Sequence, residues 1–412
     1  KLLVSNPREF AERFRIETRT RSEVLEIDRA AGEIHVRDLR AGREYRERFD
    51  RLILAPGASP VVPPWPGVES QNVFTLRDLA DMDAIKAWLD RSAPSGATVV
   101  GGGFIGLEMV EALHDRGVHV TVVEQQSHVL PPFDAEVAAE IETGLRDNGV
   151  DVLTGATVTS LTASQGRVTA VNLQDGRSIA TDLVIVSVGV RPNTRLAIEA
   201  GLTIGPAGGI AVNAFGQTSD PRIYAAGDVA EVVHVVGGKP ARVPLAGPAN
   251  RNGRIAGQHA ATGSAPGATP VAGTAIAGVM GQAAAITGLS QAAARKAGYD
   301  AAAAYALRPH HASYYPGAES MILKLVYDRP TRRVLGAQAV GPAGIDKRID
   351  VVATTLHFGG TIDDLAGLDL AYAPQFGSAR DPLHIAAFVA INEADGLVRH
   401  IAPGEDMPPG QL

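Results

Sequence analysis

The chain has 412 residues, too many for one ordinary core, and its 45% hydrophobic and 20% charged residues describe a globular protein of two or three domains. With 38 basic against 45 acidic residues the net charge is −7, which offers no basic surface to nucleic-acid phosphates, so no nucleic-acid partner is expected. Cysteine is absent, which excludes disulfide frameworks, thiolate metal sites and cysteine nucleophiles among these residues.

The opening KLLVSNPREFAERFRIETRT carries charges throughout and lacks the apolar run of a secretory signal, so a cytoplasmic protein is expected. It begins with Lys rather than Met, which leads us to expect that the natural start is absent. FDRLILAPGA then reads as a buried strand ending on Pro56 and Gly57, and the proline-rich run Pro60–Pro66 suits a passage between domains.

From about Asp81 the chain builds a strand–helix–strand unit. In Thr98–Gln125, TVVGGGFIGLEMVEALHDRGVHVTVVEQ, Gly101 lets the backbone turn out of the first strand. Gly103 lets it approach a pyrophosphate, and Gly106 lets the helix pack close to the sheet. The pyrophosphate would rest on the helix N-terminus, where unpaired N–H groups and the helix dipole favour an anion. Glu124, about 20 residues on, can accept hydrogen bonds from the ribose hydroxyls of NADH and repel the extra phosphate of NADPH, so NADH is the favoured donor.

A β-meander is expected next, with turns at Gln165-Gly166 and Asp175-Gly176, closing on the apolar strand Leu183–Val188. DPRIYAAGDVA repeats the earlier pattern of a strand ending on a small-residue turn. Val271–Ala294 has no charged residue and is long enough to span a bilayer, but its Ala, Gly, Thr and Gln content and lack of anchors predict no membrane span. Ser290 is placed to cap a helix, MILKLVYDRPTRRVLGAQAVG reads as a hairpin around Arg329-Pro330, and Asp346–Phe358 reads as a helix. His310 and His311, adjacent and expected to diverge in a strand, suggest no metal site. No G-x-S-x-G nucleophile turn or paired carboxylate stands out either.

Taken together, GGGFIG, YAAGD, LILAPGA and GVRPN (Gly189–Asn193) resemble the FAD- and NAD(P)H-dependent pyridine nucleotide-disulfide oxidoreductases, over almost the whole chain. The resemblance implies an α/β protein with two Rossmann-like domains for FAD and NAD, the first incomplete, and a C-terminal α+β dimerisation domain. The boundaries implied are 1–80 for the remainder of the FAD domain, 81–214 for the NAD(P) domain, 215–266 for a return to the FAD domain, and 267–412 for the interface domain. Gly227 would admit the backbone to a flavin, and Asp228 would accept a ribityl hydroxyl. Ala55, Pro56, Gly57, Leu245, Ala246 and Ala249 would lie against the flavin, and Gly101, Gly103, Phe104, Ile105, Gly106, Glu108, Glu124 and Gly189 against the nicotinamide cofactor. Phe104 resembles an aromatic cover over the flavin that nicotinamide displaces; simple packing at the helix start is the other reading. Glu108 resembles a residue facing the nicotinamide ribose or is an exposed helix glutamate.

HHASYYPGAES and LDLAYAPQFGSARDPLHIAAFVA resemble the dimer domain of coenzyme A-disulfide reductases and the related NADH oxidases and peroxidases. By that resemblance Tyr314 and Tyr372 are catalytic, reaching toward the flavin and thiol of the neighbouring subunit of a homodimer, where a phenol can hydrogen-bond a thiolate or donate a proton. Interfacial packing is the alternative. The family's first glycine motif and redox cysteine are not among these residues, and the resemblance implies that they lie upstream. The tail HIAPGEDMPPGQL resembles a linker that in some relatives leads to a rhodanese domain. The implied activity is NADH-driven, FAD-dependent reduction of a small disulfide or persulfide of the coenzyme A type. NADH oxidase or peroxidase, a ferredoxin- or rubredoxin-type reductase, and an NADH-sensing scaffold without turnover are the alternatives.

Overall fold

The computed structural model describes residues 6–399; the expected linker at 400–412 lies outside them. The chain gathers into two compact units. One holds the residues up to Gly57 with Pro192–Val232 and Pro240–Thr269, and the other holds Ala58–Arg191, Val233–Lys239 and the residues from Pro270 on.

In the first unit the strands Leu52–Leu54 and Ile223–Ala225 pair in parallel, Leu54 opposite Ala225. Leu54, Ile223, Ala225, Ile210 and Val229 form its core. The two strands that end on small-residue turns are therefore neighbours, so the turns leave the pair side by side. An antiparallel three-stranded sheet, Ser22–Asp28, Glu33–Asp38 and Arg43–Arg48, belongs to the same unit. The helix Ala246–Thr262 ends at Gly263, whose left-handed φ of 73° stops it.

The second unit opens on a five-stranded parallel sheet in the order Val73–Phe74, Leu183–Val186, Gly96–Val100, His119–Val123, Asp151–Leu153. Its valine-rich strands are buried on both faces, as parallel strands flanked by helices must be. The expected meander is the antiparallel sheet Val158–Ser164, Arg167–Leu173 and Ser178–Ala180. Its first turn is Gln165-Gly166, both residues at positive φ, the twist that a two-residue hairpin requires.

The C-terminal sheet is antiparallel, in the order Ala275–Val279, Gln282–Gly288, Val334–Gly341, Ser320–Asp328, Ala301–Pro309. Val271–Ala294 thus contributes two of its strands, and among the described residues no helix is long and apolar enough to cross a membrane. Strand alternation splits the sheet between two cores. Ala284, Ile286 and Val340 pack with Leu107, Val110 and Leu113 of the dinucleotide block, whereas Ala285, Ala337 and Ala339 face Ile349, Val352 and Leu383 of the covering helices Ile345–His357 and Pro382–Ala394. The Ala and Gly content of these strands is what lets both layers approach closely. Ser290 caps the helix Gln291–Lys296 by accepting from the Ala293 N–H.

A buried polar joint fastens the dinucleotide block to this sheet. Lys324, 1% exposed, lies 2.8 Å from Asp134 and also pairs with Glu136, which accepts the Tyr305 hydroxyl at 2.8 Å. Asp134 further accepts the Gln338 side-chain amide and the N–H groups of Gln291 and Ala292.

Candidate functional site

The three glycines of the strand–helix turn meet three different constraints. Gly101 has φ +107°, and a Cβ there would run into the Ser187 carbonyl. A Cβ on Gly106 would strike the Gly101 carbonyl oxygen, whereas one on Gly103 would meet nothing within 4 Å. Open space therefore lies over Gly103, which is the N-cap of the helix Phe104–His114 and offers no side chain to its first N–H groups. That combination fits an anionic group such as a dinucleotide pyrophosphate.

Glu124 leaves the end of the second strand and returns to this turn. Only 7% exposed, it accepts the Gly102 N–H at 2.8 Å and the Gln126 N–H at 2.7 Å, with one carboxylate oxygen each. Each oxygen keeps a second lone pair for a ribose hydroxyl. Ile105 and Glu108 are exposed on the helix, and partial desolvation of its carboxyl, followed by the charge of Glu111, pushes Glu108 above its ordinary value. Phe104 is half-buried, its ring 6.1 Å from that of buried Phe133. Gly189 has φ +107°, open space where a Cβ would stand, and a carbonyl that accepts the Val61 N–H.

In the first unit the two small-residue turns come together. The Ala226 N–H donates to the Leu54 carbonyl at 3.1 Å, and Gly57 and Gly227 both have positive φ. Ala55 and Pro56 are exposed beside them. Gly227 faces Ala249 in the helix Ala246–Thr262, whose start at Leu245 has no side-chain cap. Asp228, partly exposed, follows Gly227 in a short 3₁₀ turn. Ala246 is exposed at the helix start. Small side chains, left-handed glycines and an uncapped helix start leave room for a flat ring with a polar edge, and a flavin fits that description. Asn193 supports this cradle, donating to the Pro56 carbonyl at 2.9 Å through its side chain and to Gly57 at 3.0 Å through its backbone. Its motif was visible in the sequence, but its role was not.

Tyr314 and Tyr372 meet: their hydroxyls are 3.2 Å apart, at 75% and 49% exposure. The hydrogen bond shared with Tyr372 is the main cause that raises the Tyr314 phenol above its ordinary value. Neighbouring Tyr315 packs edge-on against His311. Contrary to expectation, His310 and His311 do not diverge. The strand stops at Pro309, the chain bends, and the two imidazoles hydrogen-bond at 2.7 Å. Among the described residues no group of three or more His, Asp or Glu side chains is arranged to hold a metal ion. Buried Arg348 and Asp381, which no sequence pattern indicated, lie behind the tyrosine loops.

The sequence pattern of the pyridine nucleotide-disulphide oxidoreductase family matches residues 5–256, and that of its dimerisation domain matches residues 274–383. The chain is 38% identical over 393 residues to the CoA-dependent NAD(P)H sulfur oxidoreductase of Pyrococcus abyssi, covering 94% of this chain and 85% of that protein. The crystal structure of reduced Bacillus anthracis CoADR-RHD superposes with a TM-score of 0.92 at 39% identity, covering 97% of this chain and 72% of that one. An NAD-dependent persulfide reductase from A. fulgidus also gives 0.92, at 38% identity, with 95% and 72% covered.

Proposed function

This chain belongs to the pyridine nucleotide-disulphide oxidoreductase family, a family of FAD- and NAD(P)H-dependent enzymes, and on that premise we propose that it serves an NADH-driven reduction of a small disulfide or persulfide of the coenzyme A type. When bound, FAD supplies the relay that accepts a hydride and delivers an electron pair to sulfur. Everything else falls to the protein's own side chains and backbone.

Gly101, Gly103 and Gly106 shape the turn that holds the pyrophosphate of NADH, and the uncapped N–H groups of the Phe104–His114 helix neutralise it. Glu124 selects the unphosphorylated ribose, Ile105, Glu108 and Gly189 line the nicotinamide half, and Phe104 screens the ring site from water. Ala55, Pro56, Gly57, Gly227, Leu245, Ala246 and Ala249 hold the flavin, and Asp228 binds its ribityl chain. Tyr314 and Tyr372 stabilise the thiolate that forms as the substrate disulfide breaks, one phenol donating to sulfur while the other orients it. The chain acts as a homodimer in which these phenols serve the neighbouring subunit, in keeping with its dimerisation-domain match. None of the 412 residues is cysteine, so the thiol that this reading requires is not among them. The reaction is placed in the cytoplasm, where its nicotinamide donor is found.

The observation that carries the disulfide reading is the phenol pair: two exposed hydroxyls 3.2 Å apart can donate to a forming thiolate, chemistry that one-electron transfer to a metal centre does not call for. The names of the similar proteins point the same way. Incubating the native-length, flavin-loaded protein with NADH and coenzyme A disulfide under argon tests it. Release of free thiol in step with NADH loss supports the reading. NADH consumed only when oxygen is admitted, with no thiol formed, rejects it in favour of an oxidase.

A further inference from the structure

Within one chain Tyr314 and Tyr372 are largely exposed, so packing inside the chain does not fix where their hydroxyls stand. Their positions are inherited from two chain segments, and those segments are tied together behind the phenols. The Ala312 N–H, just before Tyr314, is shared between the carbonyls of Pro374 at 3.2 Å and Gly377 at 3.0 Å, just after Tyr372. Beneath this contact lies Arg348, 1% exposed, on the helix Ile345–His357. Its guanidinium forks onto Asp381, with Nε at 3.2 Å and Nη2 at 2.7 Å from the two carboxylate oxygens. The same Nη2 donates to the His310 carbonyl at 2.7 Å, and Nη1 donates to the Gly344 carbonyl at 3.0 Å. Asp381 in turn caps the helix Pro382–Ala394 through the Leu383 N–H.

A buried ion pair contributes little net stability against an apolar pair of the same shape, but a planar fork engaged through all three of its nitrogens fixes direction. Nη1 anchors the fork to the start of its own helix at Gly344, while Nε and Nη2 reach Asp381, on the chain that follows Tyr372, and His310, on the chain that precedes Tyr314. We infer that Arg348 is a positioning residue for the Tyr314–Tyr372 pair, holding the two loops in register so that the sulfur half of the reaction, and not the nicotinamide half, depends on it. The inference rests on the functional reading above, which assigns the phenols to sulfur chemistry.

The test compares both half-reactions in native-length, flavin-loaded protein by stopped-flow absorbance. In Arg348→Lys, which keeps the charge and loses the fork, flavin reduction by NADH should be unchanged, while reoxidation by coenzyme A disulfide should slow by about ten- to a hundredfold, the cost of misplacing a reacting group by an ångström or less. Adding Arg348→Lys to Tyr372→Phe should cost little more than Tyr372→Phe alone, because both act through one pair. Should Arg348→Lys fail to fold, Asp381→Asn, which keeps the shape of the partner, reads the same two rates. Reoxidation at the wild-type rate in the folded variant, or an equal fall in both half-reactions, overturns the inference alone. A wild-type protein that NADH reduces but coenzyme A disulfide does not reoxidise overturns the functional reading, and this inference with it.

Discussion

The hydroxyl of Tyr314 stands 3.2 Å from that of Tyr372, although the two belong to separate loops 58 positions apart. The contact keeps Tyr314 protonated to higher pH than a free phenol, with the Tyr372 hydrogen bond as the largest cause. If the protonated phenol assists the sulfur step, Tyr372→Phe should slow reoxidation by about a hundredfold, the lower range for a general acid. It should also move the alkaline limb of that step to lower pH, because the group that raises the Tyr314 pKa is gone. Rates measured across the alkaline range check this. An alkaline limb left in place would remove the phenol pair from the titration.

Glu124 sits at the glycine turn with both oxygens on backbone N–H groups. Glu124→Gln should lower the preference for NADH over NADPH by about tenfold, the worth of one charge-assisted hydrogen bond of roughly 1.5 kcal/mol. Ratios of kcat/KM for the two cofactors measure it. Because Glu124 is buried, Glu124→Ala leaves the Gly102 N–H without its carboxylate and should also cost about 1–3 kcal/mol of stability.

Gly103 and Gly106 give opposite expectations from one turn. Gly106→Ala drives a methyl group into the Gly101 carbonyl oxygen and should cost at least about 1–3 kcal/mol, seen as a lower unfolding temperature. Gly103→Ala meets no protein atom, so the fold should keep its unfolding temperature. Its methyl group would instead stand where the proposed pyrophosphate site lies, and the Kd for NADH should rise by about tenfold or more, a steric loss of roughly 1.4 kcal/mol. Calorimetry of unfolding and of NADH binding separates the two. Unchanged NADH affinity in Gly103→Ala would move the pyrophosphate elsewhere.

Buried Lys324 holds the carboxylates of Asp134 and Glu136 that join the dinucleotide block to the C-terminal sheet. Burial alone would raise the Asp134 and Glu136 carboxyls, but the hydrogen bonds and charge of Lys324, with further donors around each, outweigh it and hold both below their ordinary values. Folded pKa values below unfolded ones mean that this contribution is present above the ordinary 3.8 and 4.5 and is lost as pH falls through the lowered values. Acid should therefore loosen this joint below about pH 4. Lys324→Met leaves the buried carboxylate of Asp134 and the half-buried one of Glu136 unneutralised at pH 7 and should destabilise by about 3–5 kcal/mol. It should also be less sensitive to acid than the wild type. Thermal unfolding from pH 3 to 7 follows both effects.

What could be seen in the sequence was what short-range sterics dictate. The glycine turn, the hairpin at Gln165-Gly166, the Ser290 cap and the twin strand-ending turns each depend on residues a few positions apart, so their spacing carries the information. The joints between elements were not visible, because they are made by residues remote in sequence. Asp134 precedes its own helix like an N-cap, yet its carboxylate makes no cap there and instead serves the first N–H groups of the helix Gln291–Lys296. Lys324 looks like the polar face of an alternating strand and is buried only because Asp134 and Glu136 are there to meet it. His310 and His311 mislead for the same reason: alternation assumes a strand, and the chain leaves the strand at Pro309. Nothing in the helix Asp346–Phe358 as read from the sequence marks Arg348, whose partners Asp381 and the His310 carbonyl are 33 and 38 positions away.

The proposed hydride transfer from NADH to the flavin is best tested by anaerobic stopped-flow mixing of the native-length, flavin-loaded protein with NADH carrying deuterium at the transferred position. Loss of the oxidised flavin absorbance, slowed by a primary isotope effect, is the predicted result. Saturable NADH binding with the flavin left oxidised would contradict it.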